Sequence, residues 1–142
     1  MQEAELARRL GEVEFFSGLS EATRREVARR TVQLTHRAGT AVTEQGGASS
    51  GFHLILSGSA IVSVAGVERG TMEPGAGFGE ISLIDGQPRS ATVVAGPDGL
   101  TTAALSPLAF DPLLDDANVA KALLKVVTGR LRAAEARNAA DE

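Results

Sequence analysis

The sequence contains no cysteine, and this absence excludes disulfide bonds, thiol catalysis and iron–sulfur clusters. Histidine is almost as scarce. The two present, His36 and His53, form no His-x-His pair and have no adjacent acidic residue. We therefore expect no metal site and assign both histidines to packing within the sheet. The lack of cysteine also fits a reducing compartment, so we expect the protein to lie in the cytoplasm.

Long apolar runs are missing as well. None approaches the roughly 20 residues that a membrane-spanning helix needs, so we expect no membrane span. The first residues are acidic and no apolar segment follows them, so no signal peptide is expected. The net charge of −4 leaves no basic surplus of the kind that broad nucleic-acid binding requires.

What is present is enough for one folded domain, because 142 residues can bury a core without disulfides or metal. We predict a single domain over residues 1–142, with helices in 1–31, strands in 32–105 and helices again in 106–142. Most of the 16 glycines fall in the middle segment, which predicts tight turns between short strands. Ser20 is the predicted N-cap of a helix, and Ser106-Pro107 predicts the start of another.

Two pairs of short apolar runs in the middle segment each predict a hairpin. Runs 52–56 and 60–64 flank Ser57-Gly58-Ser59, and runs 91–95 and 100–105 flank residues 96–99. Short strands at this spacing favour a closed or double-sheet arrangement, which leaves no open edges. The predicted fold is mainly β: a double-stranded β-helix, or jelly-roll-like β-roll, of about eight short strands. N-terminal helices and a C-terminal helix pair flank it.

The segment 75–93 contains the residues most typical of a ligand-binding site. Glycines at 75, 77 and 79 precede a run, 80–85, that can form one or two helical turns, and such a junction suits a phosphate. Arg89 offers a guanidinium that can bind two phosphate oxygens. Glu80 would repel a phosphate unless the ligand also donates hydroxyl groups, as a ribose does. A single arginine and no Gly-x-x-x-x-Gly-Lys loop favour one phosphate rather than a triphosphate.

These residues resemble the cyclic-nucleotide-binding domain of bacterial cAMP-receptor transcription regulators, kinase regulatory subunits and cyclic-nucleotide-gated channels. The likeness extends to residues 15–20 and to the turn glycines Gly39, Gly46 and Gly58, and runs from about residue 15 to 131. The helix-turn-helix that follows the long helix in the transcription regulators has no counterpart in this sequence. We therefore expect no DNA binding from this chain.

The resemblance implies a role for each matching position. Glu80 would accept a hydrogen bond from the ribose 2′-hydroxyl, Arg89 would pair with the cyclic phosphate, and Gly79 would let the ribose lie against the chain. Further contacts would come from the hydroxyl of Ser90 and from the backbone amides of Ala91, Ile81 and Ser82. Val62 and Val64 would form apolar walls beside the purine.

The residue that caps the purine stays unassigned. In the bacterial regulators a polar residue of the long helix contacts the adenine, but Ala134 stands at the aligned position here. Arg130, Arg132 and Arg137 are the candidates. The resemblance implies cAMP as the preferred ligand and cGMP as the second, because Ser90 could also meet the guanine amino group.

The predicted function is a non-catalytic sensor without a cofactor, acting on an unidentified effector. Ligand phosphate would neutralise Arg89 and draw the 80–85 helix inward, and the C-terminal helices would swing about Ser106-Pro107. An apolar stripe on the last helix predicts packing on the domain and, second, a homodimer seam; it comprises Val119, Leu123, Val126, Val127, Leu131 and Ala134.

Two alternatives stay open. One is a degenerate family member that serves as an interaction or dimerisation module and binds no nucleotide. The other is a small cupin-type enzyme, although its chemistry needs clustered histidines that the sequence does not have.

Overall fold

The chain begins and ends with helices, and strands fill the middle of its length. The computed structural model describes residues 1–43, 46, 51–85, 87 and 91–141. The helices are α1 (Glu3–Gly11), α2 (Glu21–Arg30), α3 (Glu80–Asp85), α4 (Pro107–Phe110) and α5 (Ala117–Asp141), with 3-10 turns at Glu14–Phe16 and Asp111–Asp115. The strands are β1 (Val32–His36), β2 (Ala41–Thr43), β3 (Phe52–Val64), β4 (Val67–Met72), β5 (Gly77–Phe78) and β6 (Thr92–Leu105).

The helix starts follow the capping residues that the sequence predicts. The Ser20 hydroxyl accepts a hydrogen bond from the Thr23 backbone amide at 3.2 Å, and the Ser106 hydroxyl accepts one from the Ala109 amide at 3.1 Å. Each bond satisfies one of the amides that a helix start leaves without an intrahelical partner. Both predicted N-caps are confirmed.

All strand pairs in the described sheet are antiparallel. The central path runs β1-β6-β3-β4, with β2 also pairing with β6 and β5 with β3. The two long strands β3 and β6 pair with each other from Phe52↔Leu105 to Ser63↔Thr92. They form the centre of the sheet, and every other described strand pairs with one of them.

The two predicted hairpins are wrong. Residues 52–64 form one continuous strand and residues 92–105 another, so the described sheet has six strands instead of about eight. Instead of reversing at Gly58, β3 bends there, with register shifts on both sides. Gly58 has φ +80°, and a Cβ on it would lie 2.1 Å from the Gly99 carbonyl oxygen. The glycine permits the two paired strands to approach each other closely at this point. It is therefore required for close packing and not for a turn.

Two apolar cores lie on opposite faces of β3. The larger packs the helices against one end of the sheet, and its centre is a group of phenylalanines: Phe15, Phe16, Phe52 and Phe110. The smaller lies within the roll and includes Ile55, Phe78, Val93 and Leu100. The connector at residues 15–18 therefore buries two aromatic rings and ties the N-terminal helices to β3.

The fully buried apolar residues of helix α5 lie in its first turns. Val119 and Leu123 are buried, whereas Val127 and Leu131 are exposed. The predicted stripe therefore covers the core at its beginning only. None of the described helices, α5 included, is apolar enough over sufficient length to cross a membrane.

The close approach at Gly58 yields a stability prediction with an internal control. Gly58→Ala should lower the free energy of unfolding by about 3 kcal/mol, because the methyl group meets the Gly99 carbonyl and the backbone is left-handed. Gly39 has nearly the same φ, +79°, but nothing lies within 4 Å of its Cβ position, so Gly39→Ala should cost only about 1 kcal/mol. Urea denaturation of both variants measures the difference, and equal losses would contradict the steric argument.

Candidate functional site

A cavity of about 260 Å³ opens where α3 meets the smaller core. Its described lining residues come from β3, β4, β5, α3 and the start of β6: Val62, Met72, Gly77, Phe78, Gly79, Glu80, Ile81, Ser82, Ala91 and Val93. Glu80 is the one charged residue among them. The cavity thus joins apolar walls to a single carboxylate.

Glycines shape the chain where it passes from β5 into α3. Gly75 and Gly79 have φ +95° and +88°. Gly77 does not need a left-handed backbone; a Cβ there would lie 2.5 Å from the ring of Phe52. The alternation of glycines therefore reflects two needs: sharp turns at 75 and 79, and close packing on the core at 77.

The cavity brings together most of the residues that the sequence singles out. Gly79, Glu80, Ile81, Ser82, Ala91 and Val62 all line it. Val64 is not among the described lining residues, because it lies at the end of β3 opposite Val67. Arg89 and Ser90 fall outside the described residues. The roles of all these residues in ligand binding stay predictions.

The sequence interpretation missed three apolar lining residues, Met72, Phe78 and Val93. Phe78 stands between two of the motif glycines, and its position in the motif was the available signal. Met72 reaches the wall because β4 pairs with β3 in the register Ala60↔Met72. That register follows from a shift between Val62 and Ser63, which no local sequence pattern indicates.

A polar bridge connects the cavity to α5. The Glu80 side chain is 20% exposed, and its Oε1 accepts a hydrogen bond from Arg130 Nη2 at 3.2 Å. Nε of the same guanidinium donates to Glu14 Oε1 at 3.0 Å. Burial alone would lower the pKa of Arg130, but the hydrogen bond with Glu14 and the charge of Glu80 outweigh it and raise the pKa. The arginine therefore stays charged between the two carboxylates.

Arg130 is one of the three residues considered as a purine cap. Arg132 and Arg137 are exposed on α5, and Arg137 lines a groove along that helix with Arg130 and Glu14. Ala134 is half-buried on the same helix. Of these four residues, Arg130 has a hydrogen bond with a cavity residue among those described.

The histidines lie in the sheet, as expected. His53 is buried and stacks on Phe78, with ring centroids 5.0 Å apart, and its Nδ1 lies 3.2 Å from the Thr102 hydroxyl. It packs behind the cavity wall. His36 is half-buried on β1, and its Nε2 has no hydrogen-bond partner among the described residues. Across the part of the chain that the structure describes, no three histidine or acidic side chains are grouped as metal ligands.

A known family matches the part of the chain that forms the strands and the cavity. The family described as the cyclic nucleotide-binding domain matches residues 33–117. This range contains every described residue that lines the cavity and ends at the start of α5.

Curated relatives include two kinds of kinase protein. The chain is 33% identical over 86 residues to a cGMP-dependent protein kinase of Eimeria tenella, covering 61% of this chain and 9% of the relative. It is 38% identical over 89 residues to a cAMP-dependent protein kinase regulatory subunit of Yarrowia lipolytica, covering 61% of this chain and 24% of the relative. The chain thus spans a quarter or less of the length of either relative.

A bacterial structure shares the fold over nearly its whole length. The N-terminal domain of a transcriptional regulator from Streptomyces coelicolor superposes with a TM-score of 0.77 at 26% identity, covering 89% of this chain and 94% of that one. The predicted fold, a mainly β roll with helices at both ends, is confirmed. The likeness to both kinase regulatory subunits and bacterial regulator domains is confirmed as well.

Proposed function

This chain belongs to the cyclic nucleotide-binding domain family, and on that premise we propose that it is a non-catalytic sensor for cAMP, with cGMP as the second ligand. The proposal requires no cofactor. A cytoplasmic location, inferred from a sequence without cysteine, remains part of it.

The observation that carries the proposal is the composition of the cavity. Its described walls are apolar apart from Ser82 and Glu80, and Glu80 stands where the family motif places the acceptor for a ribose hydroxyl. Small-molecule sites combine mostly apolar linings with a few polar groups that fix orientation, in volumes of roughly 300 to 1,000 Å³. The cavity, at about 260 Å³, is slightly smaller than the lower limit of that range.

The preference for cAMP rests on the same walls. Outside its rings, guanine carries an amino and a carbonyl group, whereas adenine carries an amino group alone. Burying these polar groups without hydrogen-bond partners is costly. The side chains of Val62, Met72 and Val93 offer no such partners. Ser90 is the predicted residue that could meet the guanine amino group, which keeps cGMP as the second ligand.

We further propose that binding moves the C-terminal helices. Val119 and Leu123 hold the first turns of α5, whereas the remainder of the helix is largely exposed and linked to the cavity through Arg130. A ligand shifts such an equilibrium only through contacts that differ between the two positions of the helix. Glu80 is one residue that contacts both the cavity and α5, and the boundary at Ser106-Pro107 is the proposed pivot.

Calorimetric titration with cAMP and cGMP tests the sensor proposal. We expect both to bind, cAMP more tightly, and Arg89→Ala to cost about 2 kcal/mol or more, because a phosphate would lose its charge-assisted contacts. Arg69→Ala is the matched control, since Arg69 is an exposed arginine of β4 and its loss changes the net charge equally. If the unmodified protein gives no heat at high concentration, the nucleotide-free interaction module becomes the better proposal.

The partner we propose for α5 is a second copy of this chain. Leu124, Val127 and Leu131 are 65%, 45% and 58% exposed, and their spacing of three and four residues is that of a seam between two helices. Ala134 occupies the next position of this repeat and Asn138 the one after it. A polar asparagine in such a seam selects two-stranded pairing at a fixed register.

Dimerisation should therefore depend on the leucines of this seam. Leu131→Glu should shift the protein toward monomer in sedimentation equilibrium, because two like charges would face each other across the seam. Leu108→Glu is the control, since Leu108 is 85% exposed on α4, outside the seam. A wild-type protein that is monomeric at all concentrations tested would contradict the proposed partner.

A further inference from the structure

The Glu80 carboxylate sits in a position that a charged group occupies only with support. Its side chain is mostly buried at the cavity wall. A buried charge is costly unless opposite charge and hydrogen bonds compensate for it. In the part of the chain that the structure describes, the compensation comes from Arg130, which donates to Oε1 at 3.2 Å.

Arg130 approaches this carboxylate from outside the cavity. It does not belong to the described cavity lining, and with Glu14 it lines a separate groove along α5. The guanidinium is fixed twice, since Nε donates to Glu14 while Nη2 donates to Glu80. A planar guanidinium held at two points restricts the orientation of the carboxylate that it binds.

One arginine does not exhaust what Glu80 can accept. An ionised carboxylate has about four lone-pair sites on two oxygens. The bond from Arg130 uses one of them, on Oε1. Capacity remains for a hydroxyl group that enters the cavity, so the bond to Arg130 and a bond to a ribose are compatible.

We propose that Arg130 is a positioning residue that orients Glu80 for a ribose 2′-hydroxyl, and so makes nucleotide affinity depend on that hydroxyl. This inference rests on the proposed function of the same cavity. Arg130 is not among the described lining residues of the cavity; in this proposal it acts through Glu80.

The position of Arg130 along α5 adds a second consequence. Among the described residues, it is the one farthest along the helix that hydrogen bonds to the rest of the domain. A hydroxyl bound at Glu80 would therefore contact the same carboxylate that bonds to Arg130 on α5. The hydrogen bond between Arg130 and Glu80 would therefore connect the ribose contact to the position of the helix.

The experiment compares two ligands that differ by one hydroxyl, cAMP and its 2′-deoxy analogue. Arg130→Met should weaken cAMP binding about three- to tenfold, the range for loss of a half-exposed charged contact, and leave binding of the deoxy analogue unchanged. Lys121→Met is the control, because Lys121 is exposed on the same helix and its loss changes the net charge equally. It should bind both ligands like the unmodified protein.

A conservative variant separates orientation from folding. Arg130→Lys keeps the charge but has no planar fork to bridge two carboxylates. We expect it to fold and to recover only part of the lost preference for cAMP over the deoxy analogue. Full recovery would show that charge alone suffices and would overturn the positioning role.

The remaining outcomes are also decisive. Equal weakening of both ligands by Arg130→Met would mean that the residue stabilises the fold generally, and tighter cAMP binding would mean that it competes with the ribose. Either overturns the inference while the sensor function stands. Failure of the unmodified protein to bind either nucleotide overturns both.

Discussion

The close approach of β3 to β6 at Gly58 is the constraint on which the rest of the structure depends. Two strands of this length would form a flat ribbon with two exposed faces if they ran straight. The chain bends where Gly58 meets the Gly99 carbonyl, and the two faces of β3 bury different cores. Phe52 and Leu54 belong to the core beneath the helices, whereas Ile55, on the other face, belongs to the core beside the cavity.

The cavity follows from that bend and from the contact between Gly77 and Phe52. Phe52 belongs to the helical core, yet its ring lies against the strand that leads into α3. This contact fixes where β5 lies, and the left-handed backbone at Gly79 then turns the chain so that Glu80 begins a helix at the cavity wall. The carboxylate is thereby positioned by packing that starts on the opposite side of the sheet.

The sequence was informative where a residue type answers a local need. Ser20 and Ser106 cap helices because their hydroxyls satisfy free amides, and the glycines at 75 and 79 mark positive φ. It was misleading at Gly58 and at 96–99, since a glycine that permits a close approach has the same local signature as one that makes a turn. It was silent on Met72, whose place depends on strand register, and on the bridge from Arg130 to Glu14 and Glu80, whose partners lie 116 and 50 residues away.

That bridge bears on the movement of α5 that we propose. Val119 and Leu123 are buried in the larger core, which holds the start of the helix on the domain. The polar link at Arg130 is half-exposed, and such pairs contribute on the order of 1 kcal/mol or less. A contact of that size is small beside the binding energy of a nucleotide at micromolar affinity, about 8 kcal/mol. In the mechanism that we propose, repositioning the helix therefore needs only a fraction of the binding energy, provided that the ligand acts on Glu80.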